Sequence, residues 1–500
     1  MPPPTLDQLL FPSQSNDFGG GAQKLSHLLG DLRRADLSIP NRLRSVCEDA
    51  AFVADVADAL PGLPLIANER CGSWYVDPAR KKGSAYFKST DGHTGQWKFS
   101  LRRLNLHLLG LVGEFGGCII VDSTRRGKRM PDALSKTIPT WCAVLNRFLF
   151  PSLPSSAHAL HTPPDTVSAS ESAQMAALLP SFVESFLSLR PDDLVRSACN
   201  GTPLPTKPLR PVWITQDDRE HLDGCGTTSD GGSEYEGYGY SYVQGAGDDT
   251  ENWAHELTPG LFWRWRRELL DAAAVGEGEV EGLIRELVAR EKAEKEEPAG
   301  GDGEPQSGDG RRAWERVREV VPGKRVYVGD LAALGGAATW EREGVCVVVL
   351  REKVTPSEAW VKGSRRVEVG LGKSKAASRA LRDALPVVCE FVLRYLRERW
   401  QQQQQELEEV TEGKSGRRGQ PAVVILCESG RDLSIGVALA VYCWCFDDAG
   451  NLRRKEDGEV SFNKTSIRVR LGHIMTALPD VNPGRATLQS VNSFLMDWRK

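Results

Sequence analysis

Between Val423 and Phe446 the chain carries one unit with little freedom. Four consecutive apolar residues, Val423-Val424-Ile425-Leu426, lead into the polar turn Cys427-Glu428-Ser429-Gly430-Arg431-Asp432. A longer apolar stretch follows, from about Ile435 through Phe446. A short apolar run without alternation suits a strand buried on both faces, and the longer stretch suits a buried helix. Strand, tight turn and helix in that order commit the surrounding domain to an α/β architecture. Further strands are expected at Val326–Val328, Val345–Leu350 and Val367–Val369, and a helix over Ser374–Arg399 interrupted near Pro386. The Gln401–Gln405 run reads as an exposed helix end, and Glu406–Gly419 as a linker.

A chain of 500 residues is longer than one core usually organises, so two domains are expected. The segment EEPAGGDGEPQSGDG, at 296–310, has too little apolar material to pack. It divides the chain into an N-terminal domain over 1–289, a linker over 290–314 and a C-terminal domain over 315–500. In the first domain, Asn41–Leu60 has helical periodicity, and Leu65-Ile66-Ala67 and Trp74-Tyr75-Val76 read as short strands. Leu101–Leu111 reads as a buried helix, Cys118–Val121 as a buried strand, Thr137–Phe150 as a helix and Leu261–Leu270 as another. Ser155–Ser170 and 224–249 read as loops. The expected fold is α/β throughout, in two domains.

The formal net charge of −4 excludes a uniformly basic coat but not a local one. Between Arg70 and Arg147 fourteen Lys or Arg face five Asp or Glu, a surplus that can steer a polyanion. A solvated basic face would have the same composition. Eleven cysteines without a CxxC pair indicate free thiols in a reducing compartment. No apolar run reaches a membrane-spanning length and the start lacks a secretory pattern, so a cytoplasmic location is expected and a membrane partner is not.

Polar blocks carry the chemistry. In the turn 427–436, backbone N–H groups at a helix start can surround phosphate oxygens, with Ser429, Gly430, Arg431 and Ser434 as the binding set. A plain serine-capped turn would read the same way. The placement resembles the phosphate loop of dual-specificity phosphatases, whose cysteine precedes an arginine by six positions. Here that position is Leu433, and Arg431 lies only four beyond Cys427, so phosphate binding is favoured over hydrolysis. In the first domain, Lys88-Ser89-Thr90-Asp91-Gly92-His93 precedes Arg102-Arg103, and Asp122-Ser123-Thr124-Arg125-Arg126-Gly127-Lys128-Arg129 follows a strand. Such a loop can hold a pyrophosphate, although an exposed basic loop is equally compatible. Asp248, Asp249 and Glu251 supply hard-cation oxygen ligands, or merely solubilise a glycine-rich turn.

Together these blocks resemble the initiator tRNA 2′-O-ribosylphosphate transferases. The resemblance is carried by STDGH at 89–93, RRLNLHLL at 102–109 and DSTRRGKRMPDALSKTIPTWCAVLNR at 122–147. It continues in YVQGAGDDTENWAHELTP at 242–259 and CESGRDLSIGVALA at 427–440. It implies an atypical N-terminal α/β domain, a C-terminal domain like the dual-specificity phosphatases, and transfer of a phosphoribosyl group from 5-phosphoribosyl 1-diphosphate (PRPP) to adenosine 64 of initiator tRNA. In that reaction Asp122, Asp248 and Asp249 are expected to hold Mg2+. Asp91 or His93 would take the hydroxyl proton. Lys88, Arg102, Arg103, Arg125, Arg126, Lys128 and Arg129 would contact pyrophosphate or tRNA. The alternatives are a dual-specificity-like phosphatase and a non-catalytic phosphate- or tRNA-binding module.

Overall fold

The computed structural model describes residues 37–124, 127–199, 201–219, 241–248, 253–296, 314–410, 421–448, 450–454, 461–478 and 480–497. Arg125, Arg126, Asp249 and Glu251 lie outside them, as do 224–240 and 297–313. Helix α1 (Ile39–Ala59) opens the first domain. Its Asn41 N–H reaches the Ser38 hydroxyl at 3.5 Å, and Pro40 occupies the first turn, where a missing N–H breaks no helical bond.

Strands β1 (Leu65–Asn68), β2 (Lys81–Ala85) and β3 (Ile119–Val121) form a parallel sheet in the order β2-β1-β3. Side chains alternate across it. Leu65, Ala67 and Val121 join Leu43, Val46, Tyr75 and Phe262 on one face, whereas Ile66 joins Leu108, Leu109 and Trp141 on the other. The second face is covered by α2 (His107–Phe115), α3 (Ile138–Leu149), α4 (Ala169–Leu187) and α5 (Pro191–Cys199). The first is covered by α1 with α6 (Pro259–Arg264), α7 (Arg266–Val275) and α8 (Glu277–Glu296).

Three sequence expectations change here. Residues 74–76 are not a strand: Gly72–Trp74 is a 3-10 turn that buries Trp74 5.5 Å from the Trp253 ring and 5.8 Å from that of Phe262. Their apolar character serves the core, and the polar segment Lys81–Ala85 forms the edge strand instead. The helix expected over Leu101–Leu111 begins only at His107, because Asn105 adopts a positive φ of 49° that a helix cannot continue. The helix over Leu261–Leu270 is two helices, broken at Trp265 (φ −117°, ψ 25°).

The second domain is built on β4 (Val317–Glu319), β5 (Val326–Asp330), β6 (Cys346–Arg351), β7 (Val361–Gly363), β8 (Arg366–Gly370) and β9 (Val423–Cys427). The order is β4-β5-β9-β6-β8-β7, parallel through the middle with antiparallel edges. One face meets Trp340 of α9 (Ala337–Glu343). The other is packed by α10 (Ser374–Val410), α11 (Leu433–Cys445), α12 (Lys464–Ala477) and α13 (Arg485–Asp497). Helix α10 runs through Pro386 without interruption. The carbonyl that the proline leaves unbonded belongs to exposed Arg382, within reach of water. Among the described residues no helix is long and apolar enough to cross a membrane.

Candidate active site

The carboxyl ends of β1 and β3 meet around Asp122. Asn68 ends β1, and its side chain bridges three segments. Nδ2 donates to the Phe87 carbonyl and to Asp122 Oδ2, both at 2.9 Å, and Oδ1 accepts the Phe87 N–H at 2.7 Å. The Asp122 carboxylate has no solvent exposure. It also accepts the Ser123 N–H (2.9 Å), the Cys71 thiol (3.0 Å) and Arg70 Nη2 (3.0 Å). The other Arg70 nitrogen, Nη1, pairs with Asp248 at the end of the 3-10 turn Ala246–Asp248.

Two residues singled out as metal ligands, Asp122 and Asp248, are thus brought together by a guanidinium. Burial opposes charge on Arg70, but the hydrogen bonds it donates to Asp248 and Asp122 outweigh it and hold its pKa above the ordinary value. Burial, reinforced by Asp122, pushes the Cys71 thiol well up, so this cysteine is a neutral donor rather than a thiolate. This arrangement does not fit a bound Mg2+ at Asp122: its oxygens already have protein donors, and Arg70 supplies the positive charge. Among the described residues no group of three His, Cys, Asp or Glu side chains could hold a metal.

A second cluster joins the STDGH block to the long block that begins at Asp122. Gly92 closes the 3-10 turn Ser89–Asp91, where a Cβ would lie 2.7 Å from the Asp132 carbonyl. Only glycine allows this approach, and Thr137 Oγ1 secures it by donating to the Lys88 carbonyl at 3.0 Å. The turn facing it, Ala133–Thr137, is a π-helical turn running into α3. Beside it opens a cleft of about 490 Å³ whose lining includes His93, Lys128, Arg129, Asp132, Lys136 and Glu171. Lys136 is 7% exposed. Its Nζ lies 2.7 Å from Glu171, 3.1 Å from Thr94 Oγ1 and 3.4 Å from Asp132. Lys128 reaches Asp132 at 2.9 Å, and His93 lies 3.8 Å from it. Gln244 donates to the Lys128 carbonyl at 2.8 Å, tying in the 242–248 block. Burial raises the pKa of Asp91 despite the opposing charges of Lys88, Lys98 and His93.

In the second domain, Cys427 is buried and its thiol donates to Ser434 Oγ at 3.2 Å, while Sγ accepts the Ser434 N–H at 3.4 Å. Ser434 is therefore turned inward. Gly430, at φ +63°, packs where a Cβ would fall 2.8 Å from the Gly329 backbone. Ser429 accepts the Arg431 N–H at 3.2 Å, and the Arg431 side chain is 64% exposed. Asp432 accepts the Gly484 N–H and the Thr487 hydroxyl, both at 2.7 Å, fixing the loop to the start of α13.

Arg102 and Arg103, expected among the RNA contacts, have protein partners across the domain boundary. Arg102 Nη2 donates to the Pro483 carbonyl and Arg103 Nη1 to that of Val481, both at 2.8 Å, while Arg103 lies 4.4 Å over the Tyr86 ring. The same strap donates from Asn482 N–H to the Arg431 carbonyl at 3.2 Å. It therefore lies between the first domain and the phosphate loop.

Residues 32–289 match the family described as the Rit1 N-terminal domain, and 365–495 match its DUSP-like domain. The tRNA A64-2′-O-ribosylphosphate transferase of Saccharomyces cerevisiae is 30% identical over 94% of this chain and 95% of its own length. The chain belongs to this transferase family. An uncharacterized Schizosaccharomyces pombe protein is 44% identical over 46% of this chain and 52% of its own length. Human DUSP28 aligns with 37% of this chain and 96% of its own at 16% identity and a TM-score of 0.22. A mouse putative dual specificity phosphatase gives 14% identity and the same score over 39% of this chain and 92% of its own. The second domain of this family member has the dual-specificity-phosphatase-like fold its family description states.

Sequence reading missed Asn68, Arg70, Asp132, Lys136, Glu171 and Asp432. Asp132 and Lys136 stand inside the 122–147 block, Asn68 directly follows an expected strand and Asp432 lies in the 427–436 turn, so position alone could have flagged these four, whereas Arg70 meets its partners only through the fold. Glu171 carried no signal.

Proposed function

We propose that this chain transfers the 5-phosphoribosyl group of PRPP to the 2′-hydroxyl of adenosine 64 in initiator tRNA, in the cytoplasm. The observation that carries this reading is the likeness to a named A64 transferase along 94% of the chain. In the reaction the RNA O2′ forms a bond to ribose C1, the bond from C1 to diphosphate breaks, and the hydroxyl proton passes to a base. Asp91 takes the base role, since its burial-raised pKa makes it a better proton acceptor than an ordinary carboxylate. The basic loop, with Arg125, Arg126, Lys128 and Arg129, offsets the charge of diphosphate and RNA. Mg2+ would add to that charge compensation at the diphosphate. Ser429 and Arg431, both exposed beside the buried Gly430, offer a surface grip for an RNA backbone phosphate, the contact that double-stranded RNA presents alongside its 2′-hydroxyls.

The test is incubation of the purified chain with initiator tRNA, ribose-labelled PRPP and magnesium. Label entering intact tRNA, and absent when nucleotide 64 lacks its 2′-hydroxyl, supports the reading. Phosphate release without RNA labelling overturns it in favour of a phosphatase.

A further inference from the structure

We infer that the cleft between the 88–93 turn and the π-helical turn 133–137 is the seat of the donor's phosphorylated ribose. This rests on the transfer reaction proposed above and locates its small-molecule substrate. At about 490 Å³ the cleft falls within the ~300–1,000 Å³ range typical of small-ligand sites. Its lining is of mixed character, with lysine and arginine beside two carboxylates. A phosphodiester strand alone has no use for those carboxylates, which repel it. A phosphorylated sugar needs both kinds of group: cations for its phosphates and acceptors for its ring hydroxyls.

The three N–H bonds of Lys136 match its three neighbours, Glu171, Asp132 and Thr94. Lys136 is therefore a positioning residue. It holds two acceptor carboxylates in the cleft wall and neutralises part of their charge. The ligand-facing cations are Lys128 and Arg129, whose side chains are 56% and 47% exposed. Their ion pairs with Asp132, Asp217 and Asp165 are weak enough at such exposure to yield to a phosphate. The site expected to hold Mg2+, between Asp122 and Asp248, is occupied by Arg70, and the Asp122 side chain is fully buried.

Two full-length variants test the assignment, Lys128→Ala, which removes a cation, and Thr166→Phe, which fills the cleft from another wall. Equilibrium binding of labelled PRPP with magnesium is measured without RNA, and tRNA binding separately. Lys128→Ala is expected to weaken PRPP binding about tenfold, the loss of one charged hydrogen bond. Thr166→Phe is expected to abolish it while keeping wild-type tRNA affinity and thermal unfolding. Unchanged PRPP binding in both variants overturns the assignment, as does a loss confined to tRNA, which would make the cleft an RNA groove. If the wild-type chain binds tRNA but no PRPP, the transfer reaction itself falls. If it labels tRNA and both variants do so with unchanged KM for PRPP, only the cleft assignment falls.

Discussion

Each domain places an arginine just beyond its central parallel strand, and the two fates differ. Arg70, after β1, turns inward to Asp122 and Asp248 with 22% of its side chain exposed. Arg431, after β9, turns outward with 64% exposed and only a 3.8 Å approach to Asp480. The inward arginine joins three separate segments and is bound to the fold. The outward one contributes little to the fold and remains available to an anion. Strand-end position alone therefore does not mark a ligand contact. Burial and partner count decide.

Replacing Arg70 breaks the comparison most severely. Arg70→Ala leaves the Asp122 carboxylate buried without its cation and is expected to cost about 3–5 kcal/mol in denaturant unfolding. Arg70→Lys should recover only part of this, since an ammonium cannot span two carboxylates as a guanidinium does. Wild-type stability in Arg70→Ala would show that the inward arginine is dispensable. Arg103→Ala, next in size, should cost about 1.5–3 kcal/mol of domain contact, read as separation of the two domains' thermal transitions. A single unchanged transition would show that the strap at 481–483 holds nothing.

Acidity sharpens the contrast within the first domain. Transfer that needs the Asp91 carboxylate fails as pH falls through its raised pKa, so the acid limb lies above that of an ordinary carboxylate near 3.9. Asp91→Asn should lower the rate and remove that limb from the pH profile, and an unchanged limb assigns the proton elsewhere. The smallest stability effect is expected at the outward arginine. Arg431→Ala should stay within about 0.5 kcal/mol of wild type, yet lower the slope of log tRNA affinity against log salt by about 0.9. An unchanged slope removes Arg431 from the RNA surface.

The second domain was the more legible of the two. Its parallel strands are buried on both faces, so Val345–Leu350 and Val423–Leu426 appear as plain apolar runs. Pro386 misled because its helix position borders water. In the first domain Lys81–Ala85 is an edge strand without apolar alternation, and Trp74–Val76 is apolar for packing rather than pairing. For the site, Asp122 and Asp248 stood out as acids next to structured segments. Their partner did not, because Arg70 meets them across 52 and 178 residues of sequence. Contacts of that span leave no trace in local spacing. The same holds for Arg102 and Arg103, whose acceptors lie in the other domain.

Val469, on α12 of the second domain, packs against the first domain's apolar cluster, where α12 meets α5. A ribosome making this protein delivers that residue well after every described strand and helix of the first domain. Until then the N-terminal half carries an unfilled greasy seat. Its maturation thus waits for a segment of the other domain, and a chain terminated before Val469 would keep that seat open to chaperones and proteases.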